Sequence, residues 1–141
     1  MGIVQAEITL KNAIDVGSCK RGLMKEPEVR QATVQAVVDT GAATLVINEE
    51  LCQQLGLGVR GSKQARLANG VRETVKIVDP VDVHWKNRYM TCQPWVVGSG
   101  NVLLGAIPLE NMDLIVDPAN QALTGAHGDE EVGLLLEYNR I

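Results

Sequence analysis

Phenylalanine is absent from the sequence, which holds only two tryptophans and two tyrosines among 141 residues. The core must therefore be built from valine, leucine, isoleucine and alanine, and short valine-rich runs favour strands. No stretch of about 20 apolar residues occurs, so neither a membrane-spanning helix nor a membrane partner is expected. Residues 1–10 alternate polar and apolar side chains and lack the hydrophobic core of a signal peptide, which predicts a cytoplasmic protein.

A surplus of positive charge is also missing, since 13 lysines and arginines face 17 aspartates and glutamates, for a net charge of −4 at pH 7. Nucleic acids are bound by clustered positive surfaces, so this charge argues against a nucleic-acid partner. The three cysteines, Cys19, Cys52 and Cys92, are odd in number and far apart, which argues against a disulfide framework and a zinc site. A cysteine nucleophile would need a histidine base, and only His84 and His127 are present.

The length suits a single domain, residues 1–141, with short extended runs separated by turns. This spacing is typical of an all-β barrel or sandwich. Residues 15–30 carry two glycines, a proline and several charges, and we expect a long surface connection there. The predicted strands are 4–10, 32–38, 44–47, 64–67, 71–78, 81–85, 89–97, 102–104, 114–116, 122–124 and 132–136.

Two short helices and one hairpin carry clear local signals. Asn48 can cap a helix that has two glutamates in its first turn and ends at Gly56. Residues 108–112 are compatible with one or two helical turns that begin at a proline. The pair Asn69-Gly70 separates two extended runs and predicts a β-hairpin.

The segment Val37-Val38-Asp39-Thr40-Gly41-Ala42 places a carboxylate directly after an apolar run. A buried ionised carboxylate needs hydrogen bonds. The Thr40 hydroxyl and the backbone N–H groups of a tight turn at Gly41 can supply them. Taken alone, the triplet is equally compatible with an ordinary turn at the end of a strand.

Residues 37–47 resemble the active-site segment of retroviral-type (retropepsin-like) aspartic peptidases. They consist of two apolar residues, Asp-Thr-Gly-Ala, a further small residue and then Thr-Leu-Val-Ile. The helix predicted after them is similar to that of small bacterial members. Val102-Leu103-Leu104-Gly105 resembles the apolar-apolar-Gly element of these proteins, and residues 108–118 are similar to the segment that follows it in the bacterial relatives. The likeness spans residues 32–124, and the predicted hairpin falls where these peptidases carry their flap.

The resemblance implies an all-β, retropepsin-like acid protease barrel with one or two short helices, a core at 32–124, a flap hairpin at 64–78 and a tail at 129–141. It implies an aspartic endopeptidase that needs neither a metal nor an organic cofactor. The chain has one Asp-Thr-Gly, so the second carboxylate would come from a second Asp39 in a homodimer. The implied catalytic residues are Asp39, Thr40 and Gly41, and the implied peptide-binding residues are Ala42, Leu67, Ala68, Asn69 and Gly70.

Some features depart from this pattern and leave alternatives open. Ala106 stands where viral members usually carry Arg, Asn or Asp, the 15–30 connection is longer than in compact viral enzymes, and the flap turn has one glycine. A catalytically inactive dimerisation or peptide-binding module on the same fold is one alternative. An unrelated β-barrel with a chance turn at Asp39 is another.

His127-Gly128-Asp129 offers too few ligands for a closed metal site and is interpreted as a solvated loop.

Overall fold

The computed structural model describes residues 3–135, and these form eleven strands and three short α-helices. None of these helices is long and apolar enough to cross a membrane. The helices are α1 (Ala13–Lys20), α2 (Glu49–Gln54) and α3 (Ala106–Asn111), with a 3₁₀ turn at Glu26–Glu28. The strands are β1 (Gln5–Asn12), β2 (Gln31–Val38), β3 (Leu45–Asn48), β4 (Val59–Arg66), β5 (Arg72–Val78), β6 (Val81–Trp85), β7 (Arg88–Cys92), β8 (Trp95–Val97), β9 (Leu103–Leu104), β10 (Leu114–Asp117) and β11 (Ala122–Gly125).

Nine strands form one sheet in the order β4-β5-β8-β3-β9-β2-β1-β6-β7, and β10 pairs with β11 separately. The two-residue strand β9 lies between β2 and β3. It runs parallel to β2, with Val38 beside Leu104, and antiparallel to β3, with Leu45 beside Leu104. The end of β2, the start of β3 and the end of β9 therefore meet at one place in the sheet.

Alternation along the strands separates the core from the outer faces. In β1, Ala6, Ile8 and Leu10 are buried while Gln5 and Glu7 are exposed. Aliphatic side chains dominate the core, as the scarcity of aromatics predicts, and methionine and one tryptophan fill the remaining space. The largest fully buried apolar side chains include Ile8, Leu10, Leu45, Ile47, Leu55, Val78, Val81, Val83, Leu104 and Met112.

The predicted surface connection at 15–30 is the clearest difference from expectation, because it contains most of α1. The Asn12 side chain caps this helix by accepting from the Asp15 N–H at 3.1 Å. Asp15 is buried and accepts from Arg30 Nε at 2.8 Å, from Arg30 Nη2 at 3.0 Å and from the Arg30 N–H at 3.1 Å. These bonds from Arg30 lower the pKa of the Asp15 carboxyl. A helix with weak local signals is thus held by a tertiary ion pair.

Several boundaries also differ. The hairpin predicted from residue 64 begins at Val59, and the strand predicted over 89–97 is divided at Pro94, which has no N–H for a ladder. The third helix begins at Ala106 rather than Pro108. Because α1 was not predicted, residues 3–135 contain three α-helices instead of one or two. Residues 132–135 are not a strand, and the rest of the predicted tail, 136–141, lies outside the described residues.

Candidate active site

Asp39 directly follows β2, in a loop that is fixed by backbone hydrogen bonds. Its N–H donates to the Leu104 carbonyl at 3.0 Å, and its own carbonyl accepts from the Ala42 N–H at 3.1 Å. The Gly41 N–H donates to Asp39 Oδ1 at 2.9 Å. The carboxylate is therefore oriented by the turn that follows it, as the Asp-Thr-Gly sequence predicts.

Two expectations for this loop need correction. In one chain Asp39 is partly exposed rather than buried. Thr40 is exposed, and within residues 3–135 its hydroxyl forms no hydrogen bond to Asp39. The side-chain hydrogen bond of the carboxylate comes from the Gly41 backbone alone in the described chain.

Gly105 joins the start of α3 to the Asp39 loop. The Ala106 N–H donates to the Ala42 carbonyl at 2.8 Å, and the Ile107 N–H donates to the Ala43 carbonyl at 3.0 Å. A Cβ at Gly105 would lie 2.5 Å from the Ala42 oxygen, so only glycine fits between the two segments. The apolar-apolar-Gly element thus braces the loop that carries Asp39.

Strands β4 and β5 form the predicted hairpin, with Ala65 opposite Glu73 and its tip at residues 67–71. The Gly70 N–H donates to the Leu67 carbonyl at 2.9 Å, and the Asn69 side chain accepts from the Val71 N–H at 3.0 Å. Gly70 has φ of 83°, a left-handed conformation that favours glycine. The Asn-Gly signal therefore marks the turn correctly.

A cleft of about 480 Å³ lies between the Asp39 loop and this hairpin. Its volume falls in the range of small-molecule and peptide side-chain sites. Among the residues predicted for the site, those that line the cleft are Asp39, Gly41, Ala42, Leu67 and Ala68. Those that do not are Thr40, in the Asp39 loop, and Asn69 and Gly70, at the hairpin tip.

Most of the cleft wall was not identified from the sequence. Val46, Val75, Trp95, Val97 and Leu103 form an apolar surface below the hairpin. Sheet register brings them together, since Trp95 pairs with both Val46 and Ile77 on neighbouring strands, and Val46 pairs with Leu103. The alternating apolar residues of β5 and the apolar run of β8 were the available signal, but the sheet order that unites them is not readable from the sequence. Besides Asp39, the charged lining residues are Arg66 and Glu73.

The histidines lie in other parts of the molecule. His84 stacks on Tyr89 with ring centroids 5.3 Å apart, and burial lowers its pKa. His127 is exposed, and its Nδ1 lies 2.7 Å from Asp113 Oδ2. That bond lowers the pKa of the Asp113 carboxyl. Within residues 3–135, no group of three or more potential ligands is arranged to hold a metal ion.

Burial acts against activation of two of the cysteines, Cys52 and Cys92. Burial raises the pKa of the Cys92 thiol to about 11, and burial also raises the pKa of Cys52. A nucleophilic cysteine needs the opposite shift, toward a thiolate at neutral pH. In the described chain none of the three cysteines is hydrogen-bonded to a histidine. Asp39 is therefore the candidate catalytic group among the residues that line the cleft.

The braced loop after β2, the glycine after β9 and the hairpin above the cleft define the retropepsin-like class of folds. The solved structure of the retroviral protease-like domain of Ddi1 from Leishmania major is similar, with a TM-score of 0.57 and 18% identity over 96% of this chain and 95% of that chain. The protease of EIAV, solved with the inhibitor HBY-793, gives a TM-score of 0.42 and 24% identity over 55% of this chain and 75% of that chain.

The chain belongs to the aspartyl protease family, whose sequence pattern matches residues 26–135. A comparison with curated protein sequences found no significant match. The all-β, retropepsin-like fold predicted from the sequence is confirmed, and the predicted span of likeness, 32–124, lies within the matched residues.

Proposed function

We propose that this protein is an aspartic endopeptidase whose active unit is a homodimer, with Asp39 of each copy forming a catalytic pair. The observation that carries the proposal is the position of Asp39. Its carboxylate is held by the Gly41 N–H, partly exposed, in a cleft roofed by the β4–β5 hairpin. Membership of the aspartyl protease family supports the same chemistry.

The need for two carboxylates supports the dimer. In this chemistry one carboxylate takes a proton from water while the other donates one to the peptide carbonyl. In the described chain the cleft holds no second aspartate, and five other aspartates have their own partners: Asp15 with Arg30, Asp79 with Arg60, Asp82 with Thr91, Asp113 with His127 and Asp117 with Asn120. A two-fold axis beside the partly exposed Asp39 loop would supply the missing group from a second copy.

The two Asp39 carboxyls would share one proton, because two like charges about 3 Å apart cannot both ionise. The ionised member accepts a proton from a water molecule placed between them, and that water attacks the peptide carbonyl carbon. The protonated member donates to the carbonyl oxygen, which gives a tetrahedral intermediate without an acyl-enzyme. The member that took the proton from water then donates it to the leaving nitrogen as the C–N bond breaks, and the other member recovers a proton from a hydroxyl of the intermediate.

The hairpin would act as a flap over an extended peptide. Its strands offer backbone N–H and C=O groups above the cleft, where a peptide can pair strand against strand. Closure would exclude bulk water and strengthen the electrostatic contacts of the carboxyl pair. Leu67 and Ala68, which line the cleft from the hairpin tip, would contact the peptide directly.

Replacing Asp39 by asparagine tests the enzyme claim. Asparagine keeps an oxygen that accepts from the Gly41 N–H, so the loop is expected to keep its shape while proton transfer is lost. Cleavage of a mixed peptide library at mildly acidic and neutral pH should fall by at least about 100-fold. Asp129→Asn is the matched control, since Asp129 is exposed and outside the cleft. Equal cleavage by the Asp39→Asn variant and the parent would remove the enzyme claim and leave the inactive-module alternative.

Mixing the two proteins tests the shared site. If each active site takes one Asp39 from each copy, an excess of Asp39→Asn protein should suppress parental activity by trapping it in mixed dimers. An equal excess of Asp129→Asn protein should not. Sedimentation at the assay concentration should give the mass of a dimer, and a strict monomer that still cleaves peptides would refute the paired arrangement.

A further inference from the structure

We propose that Glu73 selects peptides that carry a lysine or arginine side chain beside an apolar one. This inference rests on the proposed function, because it assigns a substrate class to the same cleft. The observation that carries it is a carboxylate on the inner face of the hairpin, next to an apolar wall.

Alternation along β5 places Glu73 on the cleft side. Val75, two residues later, is 3% exposed and lines the cleft, and Ile77 pairs with Trp95, which also lines it. Side chains two residues apart in a strand share a face, so Glu73 projects toward the same space. It is the last residue of this row before the hairpin tip, directly above the apolar wall.

Glu73 has no cation of its own in the described chain. Its cross-strand partner is Ala65, which cannot neutralise it. None of the ion pairs formed within residues 3–135 involves Glu73. Lys63, which register places opposite Val75 on the same face, has its Nζ 5.2 Å from the centre of the Trp95 ring instead. The charge of Glu73 is therefore available to a bound peptide.

Arg66 also lines the cleft, although it belongs to the neighbouring row of side chains. It pairs with Arg72, one step along from the Ala65–Glu73 pair, so alternation places the two arginines apart from Glu73 and Val75. Within residues 3–135 Arg66 forms no ion pair with Glu73, so the Glu73 carboxylate is not neutralised by it. The row that holds Glu73 and Val75 therefore brings a negative charge to the cleft beside its apolar wall.

The apolar wall defines the rest of the preference. Val46, Val75, Val97 and Leu103 can take an aliphatic side chain of the peptide. The methylene stem of a neighbouring lysine or arginine can lie along the same surface while its charged head reaches Glu73. Flap closure would remove water from this ion pair and strengthen it.

The test uses a series of peptides that share one fixed leucine. At each nearby position in turn, one peptide carries lysine and its counterpart carries glutamate. For the parent, kcat/KM should favour lysine over glutamate by about tenfold at one position or more, the order expected when a favourable charge pair replaces an unfavourable one. Glu73→Gln should bring this ratio close to one, and Glu73→Lys should invert it. Glu7→Gln, an exposed strand glutamate outside the cleft, should leave the ratio unchanged. Added salt should reduce the parental ratio.

A binding experiment separates this inference from the proposed function. The same peptides, fluorescently labelled, are titrated with Asp39→Asn and with Asp39→Asn/Glu73→Lys proteins. Charge-selective binding that inverts with Glu73→Lys, without cleavage by the parent, would sustain the inference and reject the peptidase. Cleavage with the same lysine-to-glutamate ratio in parent and Glu73→Lys would reject the inference and keep the peptidase. Neither binding nor cleavage would reject both.

Discussion

Gly105 and Thr44 approach so closely that a Cβ on Gly105 would lie 2.8 Å from the Thr44 backbone nitrogen. Gly105→Ala must therefore push the start of α3 away from the Asp39 loop. We expect a loss of about 1–3 kcal/mol in the free energy of unfolding, the cost of inserting a methyl group into a packed site. Urea unfolding measures it, and Gly98→Ala is the control because a Cβ there meets nothing within 4 Å. Equal midpoints for the two variants would contradict the close contact.

Gly70 gives the hairpin tip its turn, with φ of 83°. A β-branched residue adopts this conformation only at a cost of about 1–2 kcal/mol or more, so Gly70→Val should distort the tip and lower turnover of peptide substrates. Steady-state cleavage by the parent and the variant measures this. Gly61→Val is the control, since Gly61 lies in β4 of the same hairpin with open space around it. Unchanged turnover in Gly70→Val would mean that the tip does not act as a flap.

Short sequence motifs correctly predicted the helix and the turn that are stabilised by hydrogen bonds between neighbouring residues. The Asn48 side chain accepts from the Leu51 N–H at 2.8 Å, as the cap predicted, and the hairpin turns at Asn69-Gly70. Helix α1 was missed because its cause is tertiary: Arg30, fifteen residues after Asp15, holds the helix in place. A glycine inside the helix, Gly17, made the segment look like a connection.

The residues of the candidate site also fall into two groups, those predicted from local motifs and those that only the sheet order reveals. Asp39 and the hairpin tip were found because each carries a short motif. The apolar wall was missed because it needs the sheet order β5-β8-β3-β9, in which β8 pairs in parallel with a strand nearly fifty residues earlier. Glu73 was missed for the same reason: a charged residue in an exposed strand looks like an ordinary solvated side chain until register places it beside Val75 and above the cleft.

Replacing Asp15 and replacing Arg30 should lower the free energy of unfolding by unequal amounts. The Asp15 side chain is 3% exposed and that of Arg30 is 51% exposed. Arg30→Gln leaves a buried carboxylate with only the backbone N–H of residue 30, and should cost about 3 kcal/mol. Asp15→Asn leaves a guanidinium that reaches water, and should cost about 1 kcal/mol. Urea unfolding of both variants checks the order, and an equal or reversed order would contradict it.

The same pair predicts a pH dependence. The pKa of Asp15 is lowered in the folded protein from its ordinary 3.8, first by the side-chain hydrogen bond from Arg30. A lowered pKa means that the pair stabilises the fold fully above about pH 3.8 and loses this effect as pH falls through the folded-state value. The stability difference between the parent and Asp15→Asn should therefore be constant near neutrality and shrink in acid. Asp129→Asn should show no such convergence, and a difference that grows in acid would contradict the assignment.

Arg88 anchors the segment after β11. Its buried guanidinium donates through Nη1 to the Met112 and Asp113 carbonyls at 2.8 and 3.0 Å, and through Nη2 to the Gly128 carbonyl at 2.9 Å. Lysine keeps the charge but cannot match the fixed fork of donors, so Arg88→Lys should cost about 2–4 kcal/mol because carbonyl groups lose their partners. Arg21→Lys, at an exposed position, is the control and should change the free energy of unfolding by less than about 0.5 kcal/mol. If Arg88→Lys unfolded at the same urea concentration as the control, the three carbonyl contacts would not be holding this segment.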